Sequence, residues 1–326
     1  MCSIGPFQVP AIGLGCMNLS HAYGVPPSPA DAAKLLNRAL DLGCTFLDTA
    51  ALYGFGGNES LIGEAVGARR KEFTLASKCG MTGVDGKRVI DGRPETILKT
   101  CDESLARLKT DVIDLYYLHR WDKNVPIEDS VGALARLAED GKIKQIGLSE
   151  VSAATLKKAN TVHPIAAVQT EYSLWTRNPE IAVLAACREV GAAFVAFSPL
   201  ARGFLTAKLP DPPAFAERDI RRAMPRFQGD AFAANARLHA GFAALAREAR
   251  CTMAQLALAW LLSRGDRIVT IPGTTSIAHL EENFAAKDLT VNKSILAKAD
   301  ALINARTVTG ARYNAATQAE IDTEIA

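Results

Sequence analysis

In the stretch CTFLDTAALYGFGG, residues 44 to 57, a carboxylate and a phenol lie close together: Asp48 closes a short apolar run, and Tyr53 follows in a glycine-rich segment. Two further polar side chains close apolar runs downstream, Lys78 in FTLASK and His119 in VIDLYYLH. A tyrosine is a poor proton donor near neutral pH, because its unperturbed pKa is about 10. Its use as an acid requires a nearby cation. A lysine ending an apolar run must be paired when buried, and a carboxylate such as Asp48 favours its charged form. That cation is expected to lower the pKa of Tyr53. With His119 donating a hydrogen bond to a substrate oxygen and Tyr53 giving it a proton, the four residues could stabilise and quench a developing alkoxide. Carbonyl reduction is the matching chemistry, and since no side chain delivers hydride it demands a nicotinamide or flavin.

The elements that must position these groups repeat along the chain. A first run over 9–17, broken by Gly13 and Gly15, reads either as a strand ending in a turn or as a wall where Gly15, Cys16 and Met17 let a cofactor approach the backbone. Ser28 and Pro29 then cap a helix with apolar Ala32, Leu35, Leu36, Ala39 and Leu40, stopped by Gly43, before the strand carrying Asp48. Further strands are predicted at 73–77, 112–118, 143–148, 166–168, 193–197 and 268–271, with helices at 59–66, from 94, and at 127–139, 151–161, 180–190, 236–250, 253–262 and 292–305. Eight strands alternating with helices predict a single-domain (β/α)8 barrel over residues 1–326, with a long proline- and arginine-bearing loop after the seventh strand and an extra C-terminal helix. A doubly wound sheet would carry a GxGxxG fingerprint, but Asn18 stands where its last glycine belongs.

Asp48, Lys78, His119, Ser149, Gln169 and Ser198 all fall at C-terminal ends of predicted strands, the rim on which such barrels build their active sites. Singly, each has an ordinary role: a helix cap, a core histidine, a loop hydrogen bonder. The coincidence favours a site.

Composition narrows the class. With 326 residues, 48% hydrophobic and 22% charged, the chain can bury a large core, and its net charge of +2 gives no case for a nucleic-acid or membrane surface. Seven scattered cysteines without a CxxC pair suggest neither a disulfide framework nor a zinc site, and reduced thiols fit the cytoplasm. No leader or membrane-spanning run is read. A metal-dependent hydrolase would need converging ligands, yet only His119 of five histidines falls at a strand end, so no metal is expected.

The motifs DTAALYG at 48–54, Lys78, His119, IGLS at 146–149, Gln169 and IPGTTS followed by EEN up to residue 283 resemble the aldo-keto reductase superfamily across nearly the whole chain. IPGT and EYSLWTR resemble its branch of plant alkaloid (perakine) reductase-like and pyridoxal reductase-like enzymes. The resemblance implies an NADPH-dependent barrel that reduces an aldehyde or ketone. Tyr53 would be the general acid, Lys78 and Asp48 would tune it, and His119 would orient the carbonyl. Ser149 and Gln169 would hold the nicotinamide carboxamide, and Phe197 would stack on the ring. Ser198, Pro199, Leu200 and Gly203 would line the pyrophosphate path, and Gly273, Thr274, His279, Glu282 and Asn283 the adenosine end. Glu150 replaces the asparagine that many relatives carry, which implies fewer groups on the carboxamide. Gly273 and His279 replace a lysine and an arginine that read the 2′-phosphate elsewhere, which leaves NADH open as an alternative. One of Arg218, Arg221, Arg222 and Arg226 is expected to supply that charge, and Trp121 and Trp175 are expected to shape an aromatic-accepting pocket for a small carbonyl substrate. A competing resemblance is to the potassium-channel β-subunits, regulatory nicotinamide binders of the same family. Whether the chain is a monomer or a homo-oligomer is not readable.

Overall fold

Buried parallel strands read as continuous apolar runs, because helices cover their outer face and the barrel interior their inner one. Eight such strands form the sheet: β1 (Leu14–Gly15), β2 (Phe46–Asp48), β3 (Thr74–Cys79), β4 (Ile113–Leu118), β5 (Ile143–Ser149), β6 (Ala167–Glu171), β7 (Ala193–Phe197) and β8 (Ile268–Ile271). They pair in parallel in chain order. A bridge between Ile12 and Thr270 joins the two edges, with Gly13 N–H donating to Thr270 O at 2.8 Å and Thr270 N–H to Ala11 O at 2.9 Å. The computed structural model describes residues 1–84 and 86–325 of the single-domain chain.

Around the barrel run α1 (Pro29–Asp41), α2 (Gly57–Val66), α3 (Pro94–Leu108), α4 (Ile127–Glu139), α5 (Ala153–Asn160), α6 (Val183–Val190), α7 (Gly229–Glu248), α8 (Met253–Leu262), α9 (Ile277–Ala285), α10 (Lys293–Leu302) and α11 (Ala315–Ala319). Their starts follow local chemistry. Ser28 caps α1 by accepting the Asp31 N–H ahead of Pro29, and Thr252 with Gln255 forms a reciprocal capping box on α8. On α1 the buried face is the expected Ala32, Leu35, Leu36, Ala39 and Leu40.

Several elements differ from the sequence expectation. Only Leu14 and Gly15 of the first run are strand, and α7 begins at Gly229, seven residues before the expected start at 236. The loop after β7 is built from short 3-10 turns, and the C-terminal part holds α11 besides α10. Two antiparallel hairpins were not foreseen. One pairs Cys2–Ile4 with Phe7–Val9 and puts fully buried Ile4 and Val9 into the barrel's inner core; the other pairs Met81–Val84 with Lys87–Ile90.

The inner core explains where the site lies. Along a strand every second side chain faces the same way. Phe46, Ala76, Leu115, Tyr117, Ala167 and Val195 fill the inner cluster, so the next inward positions toward the strands' C-terminal ends are Asp48, Lys78, His119, Gln169 and Phe197. The apolar interior thus passes into a polar layer at one end of the barrel.

Candidate active site

Tyr53 is held by a tight turn rather than by a long helix. A short 3-10 stretch, Tyr53–Gly56, contains left-handed Gly54 (φ 57°) and Phe55 (φ 51°), and left-handed Gly56 (φ 91°) leads into α2. Buried Asn58 pins this turn to the loop after β1 by donating to Cys16 O and Ser20 Oγ, both at 2.9 Å, and accepts from Thr49 Oγ1 at 2.6 Å.

Beneath Tyr53 the fully buried Lys78 Nζ donates to Asp48 Oδ1 and, at 2.7 Å, to Thr49 O. It stands 5.1 Å from the centre of the Tyr53 ring, and the His119 ring meets Tyr53 edge-on at a centroid distance of 5.7 Å. The four residues expected to act together are therefore one cluster.

Burial pulls the Lys78 ammonium down, but Asp48 and Tyr53 outweigh it, so its pKa lies above the ordinary lysine value and the charge is kept. Tyr53 departs from expectation. Lys78 pulls its pKa down as predicted, yet burial acts more strongly and Asp48 opposes the lysine, so the phenol lies above its usual value. A paired cation does not act as a free one. His119 is driven well below the usual histidine range, first by burial and then by Arg120, Lys78, Arg88 and His21, so its ring is neutral. Its buried Nδ1 has no partner among the described residues.

The cluster opens into a cavity of about 690 Å³, within the roughly 300–1,000 Å³ of ordinary ligand sites. Asp48, Tyr53, His119, Ser149, Gln169 and Phe197 line it, as do Gly15 and Met17. So do Ser198, Pro199, Leu200 and Gly203 beyond β7, and Gly273, Thr274, His279, Glu282 and Asn283 around the start of α9. Cys16 does not; its thiol is buried in the outer core, and burial raises its pKa. Gln169 is partly committed, since its Nε2 donates to Asp48 Oδ2 at 2.7 Å and leaves its carbonyl oxygen for other partners. Ser149 Oγ accepts from Arg120 at 3.2 Å and keeps its hydroxyl proton to donate.

Beyond Phe197 the backbone turns through left-handed conformations at Ser198 (φ 49°), Ala201 (φ 50°), Arg202 (φ 57°) and Gly203 (φ 94°). Three non-glycine residues in that region are costly and occur mainly at functional sites. At the far end, a Cβ on Gly273 would stand 2.7 Å from Asn18 Oδ1 and 3.0 Å from Gly15 O, so two loops meet there only because the side chain is absent. An aromatic face at Phe197, amide and hydroxyl groups beside it, a tightly turned loop, and the cations Lys208 and Arg221 on the wall together fit an extended anionic dinucleotide.

Of the four loop arginines, only Arg221 lines the cavity. It is paired with Asp219 at 2.7 Å and donates to Arg202 O at 3.2 Å, with Nη1 beside Gly203. Arg222 donates to Phe215 O, and Arg226 spends its donors on Gly310 O, Trp175 O and Thr176 Oγ1. Neither tryptophan lines the cavity: Trp121 donates to Val125 O, and buried Trp175 packs on Phe204 with centroids 3.8 Å apart.

Glu150, which stands where many relatives carry asparagine, does not line the cavity. It is buried at φ 57° and takes a bidentate ion pair from Arg312, whose Nη1 lies 2.8 Å away. Glu171 joins them, accepting from Arg202 Nη2 at 2.6 Å, Arg312 Nε at 3.1 Å and Thr176 Oγ1 at 3.0 Å. This cluster seats the C-terminal segment, and Tyr313, Asn314 and Thr317 from it line the cavity. Sequence reading missed these residues together with Tyr23, Arg88 and Arg120. Only Arg120, directly after His119, carried a positional signal.

Comparison with known proteins agrees with this architecture. The model of the "Aldo/keto reductase family" matches residues 11–304. The chain is 44% identical over 317 residues to "Aldo-keto reductase yakc [NADP(+)]" of Schizosaccharomyces pombe, covering 95% of this chain and 93% of that protein. To "Probable aldo-keto reductase 1" of Glycine max it is 40% identical over 312 residues, 94% of this chain and 89% of the other. Among solved structures, a glycerol dehydrogenase from Gluconobacter oxydans superposes with a TM-score of 0.85 at 26% identity, covering 96% and 97% of the two chains. An aldo/keto reductase from Klebsiella pneumoniae in complex with NADP and acetate gives 0.72 at 27% identity over 94% and 95%.

Proposed function

Because the chain belongs to the aldo/keto reductase family, we propose that it reduces an aldehyde or ketone to the alcohol with NADPH, using Tyr53 as the proton donor. The observation that carries this reading is the convergence of Tyr53, His119 and the Lys78–Asp48 pair on one end of a cavity whose remaining length suits a dinucleotide.

NADPH, when bound, supplies the hydride. Ser149 and the free carbonyl oxygen of Gln169 hold the carboxamide, and Phe197 offers its half-buried ring as the stacking face. Ser198 to Gly203 carries the pyrophosphate path, and Thr274, His279, Glu282 and Asn283 serve the adenosine end. The position of Arg221 beside Gly203 supports a role over the pyrophosphate rather than at the 2′-phosphate.

As the substrate carbonyl is reduced, its oxygen gains negative charge. Neutral His119 donates a hydrogen bond to that oxygen, and Tyr53 gives it the phenolic proton. Because burial holds Tyr53 above its usual pKa, the phenol is fully protonated at neutral pH and ready to donate. Lys78 beneath the ring stabilises the tyrosinate left behind, and Asp48 keeps Lys78 charged. Tyr23 and Tyr313 on the wall support an aromatic substrate. The unpaired cysteines favour a reducing, cytoplasmic setting.

The test is turnover of a neutral aromatic aldehyde with NADPH by wild type and Tyr53→Phe, with cofactor binding followed by NADPH fluorescence. The variant should lose about 10²- to 10⁴-fold in kcat while still binding NADPH. A variant within tenfold of wild type would refute the assignment of Tyr53.

A further inference from the structure

Arg120 follows His119 at the end of β4 and lines the cavity at the end where the reaction is proposed to occur. One side of its guanidinium is fixed by the protein: Nη1 donates to His119 O at 2.7 Å and to Ser149 Oγ at 3.2 Å. Among the described residues the Nε and Nη2 donors have no hydrogen-bond partner, and Arg120 forms no ion pair. Neither atom is fully buried, so both are accessible on a side chain that lines the cavity.

This pattern sets Arg120 apart from the other arginines on the wall. Arg202 is neutralised by Glu171, Arg221 by Asp219, and Arg88 by Glu320. The Lys78 charge is likewise matched by Asp48. Of the acidic side chains on the wall, Asp48 is thus committed, and Glu282 sits on α9 with the adenosine-end residues. An arginine without an ion-pair partner among the described residues therefore shares the wall with the proton donor.

The free Nε–Nη2 edge presents two parallel N–H groups, the arrangement that takes a carboxylate side-on through two charge-assisted hydrogen bonds. With Nη1 tied down, little rotational freedom is lost when that edge is used. We propose that the substrate is an aldehyde or ketone that also bears a carboxylate, and that Arg120 recognises the carboxylate through its Nε–Nη2 edge. The effect of Arg120 on its neighbours agrees with this placement, since it lowers the pKa of both His119 and Tyr53.

The inference rests on the reductase reading, and its test separates the two. Turnover with NADPH is compared for 4-formylbenzoate and its neutral methyl ester, in wild type, Arg120→Met and Arg120→Lys. In wild type kcat/KM should favour the acid by about 10- to 100-fold, mainly through KM, and the preference should fall as salt is raised from 0.05 to 0.5 M. Arg120→Met should abolish the preference, and Arg120→Lys, which keeps the charge but not the bidentate edge, should restore only part of it. The ratio compares two substrates on one protein, so partial loss of folding cancels. Equal use of acid and ester by wild type, or a preference that survives Arg120→Met, overturns the proposal while leaving the reductase reading intact. Failure of wild type to reduce either aldehyde overturns the reductase reading itself.

Discussion

Glu171 is the centre of the buried ion cluster, and replacing it with glutamine removes one charge at almost constant shape. Two routes give the expected magnitude. First, the carboxylate and its partners Arg202 and Arg312 are all at most 7% exposed in their side chains, and removing one member of a buried pair costs about 3–5 kcal/mol because the other is left uncompensated. Second, burial pushes the Glu171 carboxyl up but Arg202, Arg312 and Arg226 outweigh it, holding it at about 2 against an ordinary 4.5, a difference worth on the order of 3 kcal/mol. The two agree near 3 kcal/mol. The sign follows from the depressed value: the stabilisation is present above the unfolded pKa and is lost as pH falls from about 4.5 toward about 2. Urea unfolding followed by circular dichroism should therefore place Glu171→Gln about 3 kcal/mol below wild type at pH 7, narrowing to roughly 2 kcal/mol at pH 3.5. A difference below about 1 kcal/mol at pH 7, or one that does not shrink with acid, would refute the cluster's role as the clamp on the C-terminal segment.

Arg221→Ala should weaken NADPH and NADH binding by similar factors, about tenfold, in fluorescence titrations; a loss confined to NADPH would place Arg221 on the 2′-phosphate instead. Gly147→Ala would set a Cβ 2.3 Å from the buried Tyr117 ring and should cost at least about 2 kcal/mol in urea unfolding, whereas a neutral result would mean the inner core yields easily. His119 and His21 both have lowered pKa values, so the native state binds fewer protons than the unfolded chain below the usual histidine range. Stability should fall as pH drops from about 7 to 5.5, by at most about 1.4 kcal/mol per pH unit for each proton, and His119→Asn should flatten that slope. The same lowered value predicts no His119 limb in the pH dependence of kcat/KM near neutrality.

Much of this site was legible because the barrel writes it into strand ends. A strand buried on both faces reads as an apolar run, and a polar residue closing it, such as Lys78 or His119, stands out against that run. The first strand was overestimated because Val9 and Ile12 are equally apolar yet belong to the floor hairpin and the closing bridge. Arg88 stayed hidden because its hairpin is short and exposed, without an apolar run to announce it. The ion cluster was unreadable for another reason: its contacts join residues 31, 141 and 162 positions apart, and no local pattern encodes such pairing. The carboxylate at 150 drew attention, but only the folded chain shows that its partner is Arg312. For Tyr53 the error was physical, since the sequence reveals the cation and its carboxylate but not the deep burial that outweighs the cation's pull.

The seating of Arg312 against Glu150 also bears on how the protein is made. Synthesis delivers the barrel strands before the C-terminal segment, although a domain folds as a unit. Until Arg312 leaves the ribosome, Glu150 lacks the guanidinium it pairs with in the native fold, and the wall formed by Tyr313, Asn314 and Thr317 does not exist. A nascent chain that stalls after β8 therefore holds the barrel strands without the ion pairs that the following segment supplies. Such a fragment should be marked for proteolysis by its own instability, so that incomplete products are cleared rather than left to sequester cofactor.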